Sequence, residues 1–190
     1  GSKLAFKGKE YEVEEASLER MKGLDLLLGA ADNDVAKKFL PDAAKLGVTV
    51  VDNSSAFRLD PEVPLVIPEV NPEDVKWSKG LIANPNCATI IGLTAIAPLH
   101  RKAKVKRLIA STYQAVSGAG KGGIDELEAE VKAPAGTPAP CKVFPYPIAY
   151  NLIPQIGGFN DEGYTSEEMK MQNEGRKMLH DDNLLVSCTC

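Results

Sequence analysis

Apolar residues in the first part of the chain come in short, nearly unbroken runs, with a stretch of helical periodicity between the first two. Asp25-Leu26-Leu27-Leu28-Gly29 reads as a buried strand, and Val48-Thr49-Val50-Val51-Asp52 as a second, β-branched one. A helix over residues 33–46, closed by Gly47, lies between them, and two more short strands are predicted at 64–67 and 80–83. Strands of this kind around a helix predict a parallel sheet covered on both faces. Residues 86–100 read as a helix apolar on nearly every side (Ala88, Ile90, Ile91, Leu93, Ala95, Ile96, Ala97, Leu99), the pattern of a buried helix. A strand over 106–116 and a short amphipathic helix over 124–132 follow. Five prolines within 133–147 exclude regular structure there and predict an ordered loop or arm. Thr165-Ser166-Glu167-Glu168 matches a capping box opening a helix that runs to about His180, and a strand occupies 184–190.

The pattern changes near Cys87. Residues 1–86 carry the sheet-and-helix alternation of a nucleotide-binding domain; residues 87–190 carry longer strands and the proline-rich excursion. The expected fold is therefore α/β: a partial Rossmann-like parallel sheet followed by an incomplete α+β domain. No internal repeat is present.

Composition narrows the classes. At 190 residues, 44% apolar and 25% charged, the chain has the balance of a globular protein rather than a disordered one. A formal charge of −4 gives no basic surface for nucleic acid. No apolar run approaches the roughly 20 residues of a membrane-spanning helix, and no signal-peptide pattern opens the sequence. The four cysteines (Cys87, Cys141, Cys188, Cys190) and two histidines lack zinc-site spacing, so no metal is expected. Cys188 and Cys190, two apart on a strand, share a face and read as buried reduced thiols, which suits a reducing compartment.

Ligands of open parallel sheets bind at the carboxyl ends of the strands, here after Asp52 and after Ala83. In Asn84-Pro85-Asn86-Cys87-Ala88-Thr89, Asn86 suits an N-cap and Cys87 the first helical position. A thiol there faces unpaired amides and the positive end of the helix dipole, which favours thiolate and can hold an oxyanion. The same position also suits a cysteine that merely plugs a helix start. Asp52-Asn53-Ser54-Ser55-Ala56-Phe57-Arg58 offers hydroxyls, amides and a guanidinium for a phosphate-bearing ligand, or is a polar turn with a surface arginine. Gln114, within Thr112-Tyr113-Gln114-Ala115-Val116-Ser117-Gly118-Ala119-Gly120, presents an amide that can donate and accept beside glycines that allow close approach. Gly118, Gly120 and Gly123 fit G-x-G-x-x-G, but no second strand with an acidic end follows, so the match is a decoy. Glu167 and Lys170 share a helix face, as an ordinary ion pair or as ligands for an amine and a phosphate.

Taken together, these segments resemble the aspartate-semialdehyde dehydrogenase family, as do Pro145-Tyr146-Pro147-Ile148-Ala149-Tyr150-Asn151 and Glu167-Glu168-Met169-Lys170. The motifs occur in the family's order over essentially the whole chain. The resemblance implies an NADP-dependent, reversible reduction of aspartyl phosphate to aspartate semialdehyde with release of phosphate, in lysine, threonine and methionine biosynthesis. It implies that Cys87 forms a thioacyl intermediate, that Asn86 helps hold the reacting oxygen, and that Gln114 orients the substrate. Glu167 would contact the substrate amine, and Arg58 and Lys170 would bind phosphate. Asn53 and Ser54 would lie near the cofactor's linking phosphates, and Ser117, Gly118, Ala119 and Gly120 near the nicotinamide. It also implies catalytic and dimerisation roles for 87–190, a homodimer or homotetramer, and a cytoplasmic or plastid-stromal setting.

The family's glycine-rich nucleotide turn would precede Lys3, and its carboxylate-binding arginine and acid–base histidine would follow Cys190. The expectation is accordingly that these 190 residues alone are inactive, with an exposed sheet edge prone to aggregate. Two other readings stand beside this one: a non-catalytic truncated paralogue serving as an assembly subunit, and an N-acetyl-glutamyl-phosphate reductase. The latter usually has glycine where Asn86 stands.

Overall fold

The computed structural model describes residues 2–134, 136–138 and 140–190. The chain divides into two compact units, residues 1–86 and 87–190.

The first unit opens with an antiparallel hairpin, β1 (Lys3–Phe6) and β2 (Lys9–Glu12). Its turn places Lys7 and Gly8 at φ of 48° and 76°. Positive φ at both central residues matches the right-handed twist of the strands they join. A single-turn helix α1 (Leu18–Met21) leads to β3 (Leu26–Gly29), α2 (Asn33–Lys45), β4 (Thr49–Asp52) and β5 (Leu81–Ala83). β3, β4 and β5 form a parallel sheet in that order, with Leu28 opposite Val51 and Asp52 opposite Ala83. The helix α2 buries Ala36, Leu40 and Ala43, spaced three and four apart, in a core with Val48, Val50, Leu65 and Ala83. Each such Leu or Val contributes about 1.5–3 kcal/mol by leaving water.

Two expectations change here. The 64–67 stretch makes only a bridge, Leu65 to Ala83, because Pro64 and Pro68 carry no N–H with which to extend a ladder. The sheet is not covered on both faces either: β3 is an edge strand, with Leu26 54% and Leu28 72% exposed.

The second unit contains α3 (Cys87–Ala103), β6 (Arg107–Ser111), α4 (Gly120–Lys132), α5 (Ser166–Leu179) and β7 (Leu185–Thr189). β6 and β7 pair in parallel, from Arg107–Leu185 to Ser111–Thr189. Met171, Cys188 and Cys190 form a buried cluster, against which Ala88, Leu108, Ala110, Ile156 and Val186 pack. The predicted capping box is present: Glu168 N–H donates to Thr165 Oγ1 (3.3 Å), and Thr165 N–H donates to Glu168 Oε2 (2.7 Å). Against the expectation of a wholly buried helix, α3 buries only Thr89, Leu93 and Ala97, spaced four apart, and leaves Ile91 74% exposed. The predicted 106–116 strand ends at Ser111, and Val116–Ala119 forms a turn of 3-10 helix. Among the described residues, no helix is long and apolar enough to cross a membrane, and no group of three or more His, Cys, Asp or Glu side chains could hold a metal ion.

Candidate active site

In the second unit, side-chain contacts align α3 and α5. A Cβ on Gly92 would touch Met171, and one on Gly175 would touch Leu93. Ala88 packs against the Met171 cluster, while His100 lies 4.0 Å from Asp181 just beyond the end of α5. The two helices are therefore parallel, and their N-termini lie at one end of the unit. The parallel strands β6 and β7 both finish at their carboxyl ends, Ser111 and Thr189, where Thr112 N–H closes the ladder on Thr189 O (2.9 Å).

Cys87 is the first residue of α3 and an exposed free thiol, with no acidic residue in that helix's first turn. The positive end of the helix dipole at this position favours a developing negative charge, whether on sulfur or on an attacked carbonyl oxygen. Gln114, just past the end of β6, brings its amide to the thiol, with Sγ–H donating to Gln114 Oε1 at 3.5 Å. A primary amide serves both protonation states: its oxygen accepts from a thiol, and after a half-turn its NH2 donates to a thiolate. Gly118 makes room for this side chain, since a Cβ there would lie 2.0 Å from Gln114 Nε2.

Glu167 and Lys170, in the first turns of α5, are joined by a 2.7 Å salt bridge, with Glu167 side chain 7% and Lys170 side chain 33% exposed. Burial, then the hydrogen bond to Cys190 and the charges of Cys190, Glu168 and Glu167, push the Cys188 thiol up to about 12. Cys188, its sulfur 3.4 Å from that of the buried Cys190, is thus a neutral packing group. Ser117, Gly118 and Ala119 belong to the 3-10 turn, and Gly120 opens α4 with φ 71°. A cavity of about 760 Å³ is lined by Gln114, Val116, Gly118 and Ala119 of the segment after β6 and by Val143 and Phe144 of the proline-rich arm; Ser117 and Gly120 are not on its wall. Cys87 is not on that wall; Gln114 connects the thiol to the cavity.

In the first unit, the loop after β4 is tied down by its own polar groups. Asp52, wholly buried, accepts from Ser54 N–H (3.0 Å) and Ser54 Oγ–H (2.6 Å). Arg58, 8% exposed, donates from Nε to Asn84 O (2.9 Å) and from Nη2 to Asn53 O (3.0 Å). Asn84 Nδ2 donates to Asn53 Oδ1 (2.8 Å). The exposed Asn53 and half-buried Ser54 thus stand at the carboxyl ends of a parallel sheet on a fixed loop. Amide and hydroxyl groups placed there fit the phosphate oxygens of a dinucleotide. Asn86 is 6% exposed, at the end of this unit.

Residues 96–190, half of the chain, match the family model of the semialdehyde dehydrogenase dimerisation domain, and residues 1–78 match its NAD binding domain. The chain belongs to the semialdehyde dehydrogenase family. It is 51% identical over 195 residues to the aspartate-semialdehyde dehydrogenase of Aquifex aeolicus and 44% identical over 198 residues to that of Bacillus subtilis. Each alignment takes in 100% of this chain and 57% of the relative, so this semialdehyde dehydrogenase chain spans little more than half the length of the curated relatives it matches. The crystal structure of aspartate semialdehyde dehydrogenase II from Vibrio cholerae, complexed with ASA, superposes with a TM-score of 0.90 at 43% identity. That match covers 100% of this chain and 57% of that one.

Sequence reasoning passed over two features of this semialdehyde dehydrogenase site. One is the service of Gly118 to Gln114, which only a side-chain position reveals. The other is a pair of glutamates, Glu126 and Glu130, on α4. The available signal was Glu-x-x-x-Glu on one helix face, directly before an arm whose backbone donors have no strand to pair with.

Proposed function

We propose that the protein carrying this chain is an aspartate-semialdehyde dehydrogenase that interconverts aspartyl phosphate and aspartate semialdehyde with NADP and phosphate. The observation that carries the reading is the exposed Cys87 thiol at the start of α3, with the Gln114 amide 3.5 Å from its sulfur. In the reductive direction the Cys87 thiolate attacks the acyl carbon of aspartyl phosphate, a C–S bond forms, and phosphate leaves. The positive end of the α3 dipole, with Asn86, steadies the oxygen that gains charge on the way to the thioester. When bound, the nicotinamide cofactor would supply the hydride that reduces this thioester, and accept one in the reverse direction; the C–S bond breaks as the aldehyde leaves, which returns the Cys87 thiolate.

Gln114 turns its amide to hold the substrate against the sulfur. The Glu167–Lys170 pair suits a substrate that itself carries an ammonium, a carboxylate and a phosphoryl group: the carboxylate meets the amine, and the ammonium meets an anion. Arg58 is proposed as a phosphate ligand whose guanidinium is aimed by its two bonds to loop carbonyls. Asn53 and Ser54 are proposed to contact the cofactor's linking phosphates, and Ser117, Gly118, Ala119 and Gly120 its nicotinamide end. Homodimer formation through residues 96–190 completes the proposal.

The test is phosphate-dependent NADP reduction with aspartate semialdehyde, comparing the native full-length protein with Cys87→Ser. Loss of roughly a thousandfold or more in kcat with an unchanged fold is expected. A serine variant that keeps its rate would overturn the role of Cys87.

A further inference from the structure

The arm between α4 and α5 presents a difficulty that its sequence creates. Prolines at 134, 138, 140, 145 and 147 bar it from helix and sheet, yet its remaining backbone N–H groups need acceptors where they leave water. Two carboxylates one helical turn apart on α4 meet that need. Glu126, 6% exposed, accepts from Lys142 N–H and Val143 N–H at Oε2 (both 2.8 Å) and from Phe144 N–H at Oε1 (3.1 Å). Glu130 Oε2 accepts from Ile148 N–H (2.9 Å) and Ala149 N–H (2.7 Å). Convergent backbone amides of this kind are the donor set that proteins use to hold anions; here a side chain of the same fold is the anion. Gly122 and Gly123 bring the arm close to α4: a Cβ would lie 3.3 Å from Val143 Cγ2 at the first and 3.2 Å from Phe144 Cζ at the second. A Cβ at Gly123 would also lie 2.5 Å from Val116 O, in the turn after Gln114. One face of α4 therefore supports both the Gln114 segment and the arm, and both line the cavity.

We propose that Glu126 and Glu130 clamp residues 142–149 as the cavity wall facing Gln114, and are positioning residues for the ligand held there. The proposal rests on the function argued above for its catalytic readout, but the clamp itself does not. Neither glutamate touches Cys87 or Gln114 in any hydrogen bond, so both act through the arm, on binding more than on the bond-making step.

The experiment is hydrogen exchange of the arm, together with steady-state kinetics, in native full-length protein carrying Glu126→Gln, Glu126→Ala or Glu130→Gln. In Glu126→Gln, exchange at 142–144 is expected to quicken by about tenfold or more, because one neutral oxygen replaces a charged acceptor of three bonds. Glu126→Ala should go further, and Glu130→Gln should act at 148–149 alone. KM for aspartate semialdehyde should rise on the order of tenfold, with kcat within about twofold, the split that marks lost ground-state positioning. Unchanged exchange at these amides in all three variants would overturn the clamp. Faster exchange with an unchanged KM would overturn the positioning role and leave a loop anchor. A wild type that folds and shows the clamp by exchange, yet does not turn over aspartate semialdehyde, would instead overturn the proposed activity, and the positioning role with it.

Discussion

A single added carbon at Gly118 would displace the Gln114 amide from Cys87. In Gly118→Ala the new Cβ would sit 2.0 Å from Gln114 Nε2, 2.7 Å from Cδ and 3.1 Å from Cγ. Ordinary contact begins near 3.4 Å, so the amide must retreat by about 1.4 Å. Gly118 has no positive φ, so alanine meets no backbone penalty there. What moves is the end of a flexible side chain, and the global fold should barely respond, with a change under about 1 kcal/mol. The geometry at sulfur is less forgiving. The Cys87 Sγ to Gln114 Oε1 separation is already 3.5 Å, and a further displacement of this size breaks it. A 1 Å misplacement can cost about a hundredfold in rate, so kcat/KM should fall by roughly that factor. Thermal melting and the NADP-linked assay, run side by side, provide the check. A variant with wild-type kinetics would show that Gln114 has no part in orienting substrate. A variant whose melting temperature falls by about 10 °C would show that the 3-10 turn, not the amide, absorbs the strain.

Two further predictions concern stability and thiol chemistry. Thr165→Ala removes the oxygen that accepts from Glu168 N–H at a residue only 1% exposed, and should cost about 0.5–2 kcal/mol in chemical denaturation; no change would mean that the α5 start is held by packing alone. At neutral pH iodoacetamide should label the exposed Cys87 and Cys141 well before Cys188, which burial and the neighbouring Cys190 keep protonated. Because the folded Cys188 value is about 12 against 9.0 unfolded, its stabilising effect is complete below pH 9 and is lost as pH rises towards 12. A Cys188→Ala variant should therefore lose less stability over that interval than the wild type, and equal slopes would refute the assignment.

Where local chemistry decides the structure, the sequence is readable. The capping box at Thr165 and Glu168, the β-branched strand ending in Asp52, and Cys87 opening a helix all follow from residue type and spacing. What misleads is apolar content without direction. In α3 it implied burial all round, whereas the buried stripe is Thr89, Leu93 and Ala97, and one of those three is polar. Periodicity identifies a face only when the apolar residues are confined to it. The hairpin at Lys3–Phe6 and Lys9–Glu12 went unread because its strands are wholly exposed, so no hydrophobic face announces it beyond Lys7-Gly8 at the turn. The strand predicted through Gln114 stops at Ser111, and the chain beyond it turns Gln114 towards Cys87, a contact between distant residues that no local pattern encodes.

The corner where β3 meets β4 bears on how variation in this chain should be interpreted. A Cβ on Gly29 would lie 2.9 Å from Leu40 Cδ1 and 3.0 Å from Asp52 Oδ1, while both oxygens of Asp52 are occupied by Ser54. A saturation library would find Gly29 and Asp52 nearly invariant, next to a loop proposed to meet a cofactor. That intolerance would record the steric closure of a strand end, and two frozen positions would look catalytic while performing no chemistry.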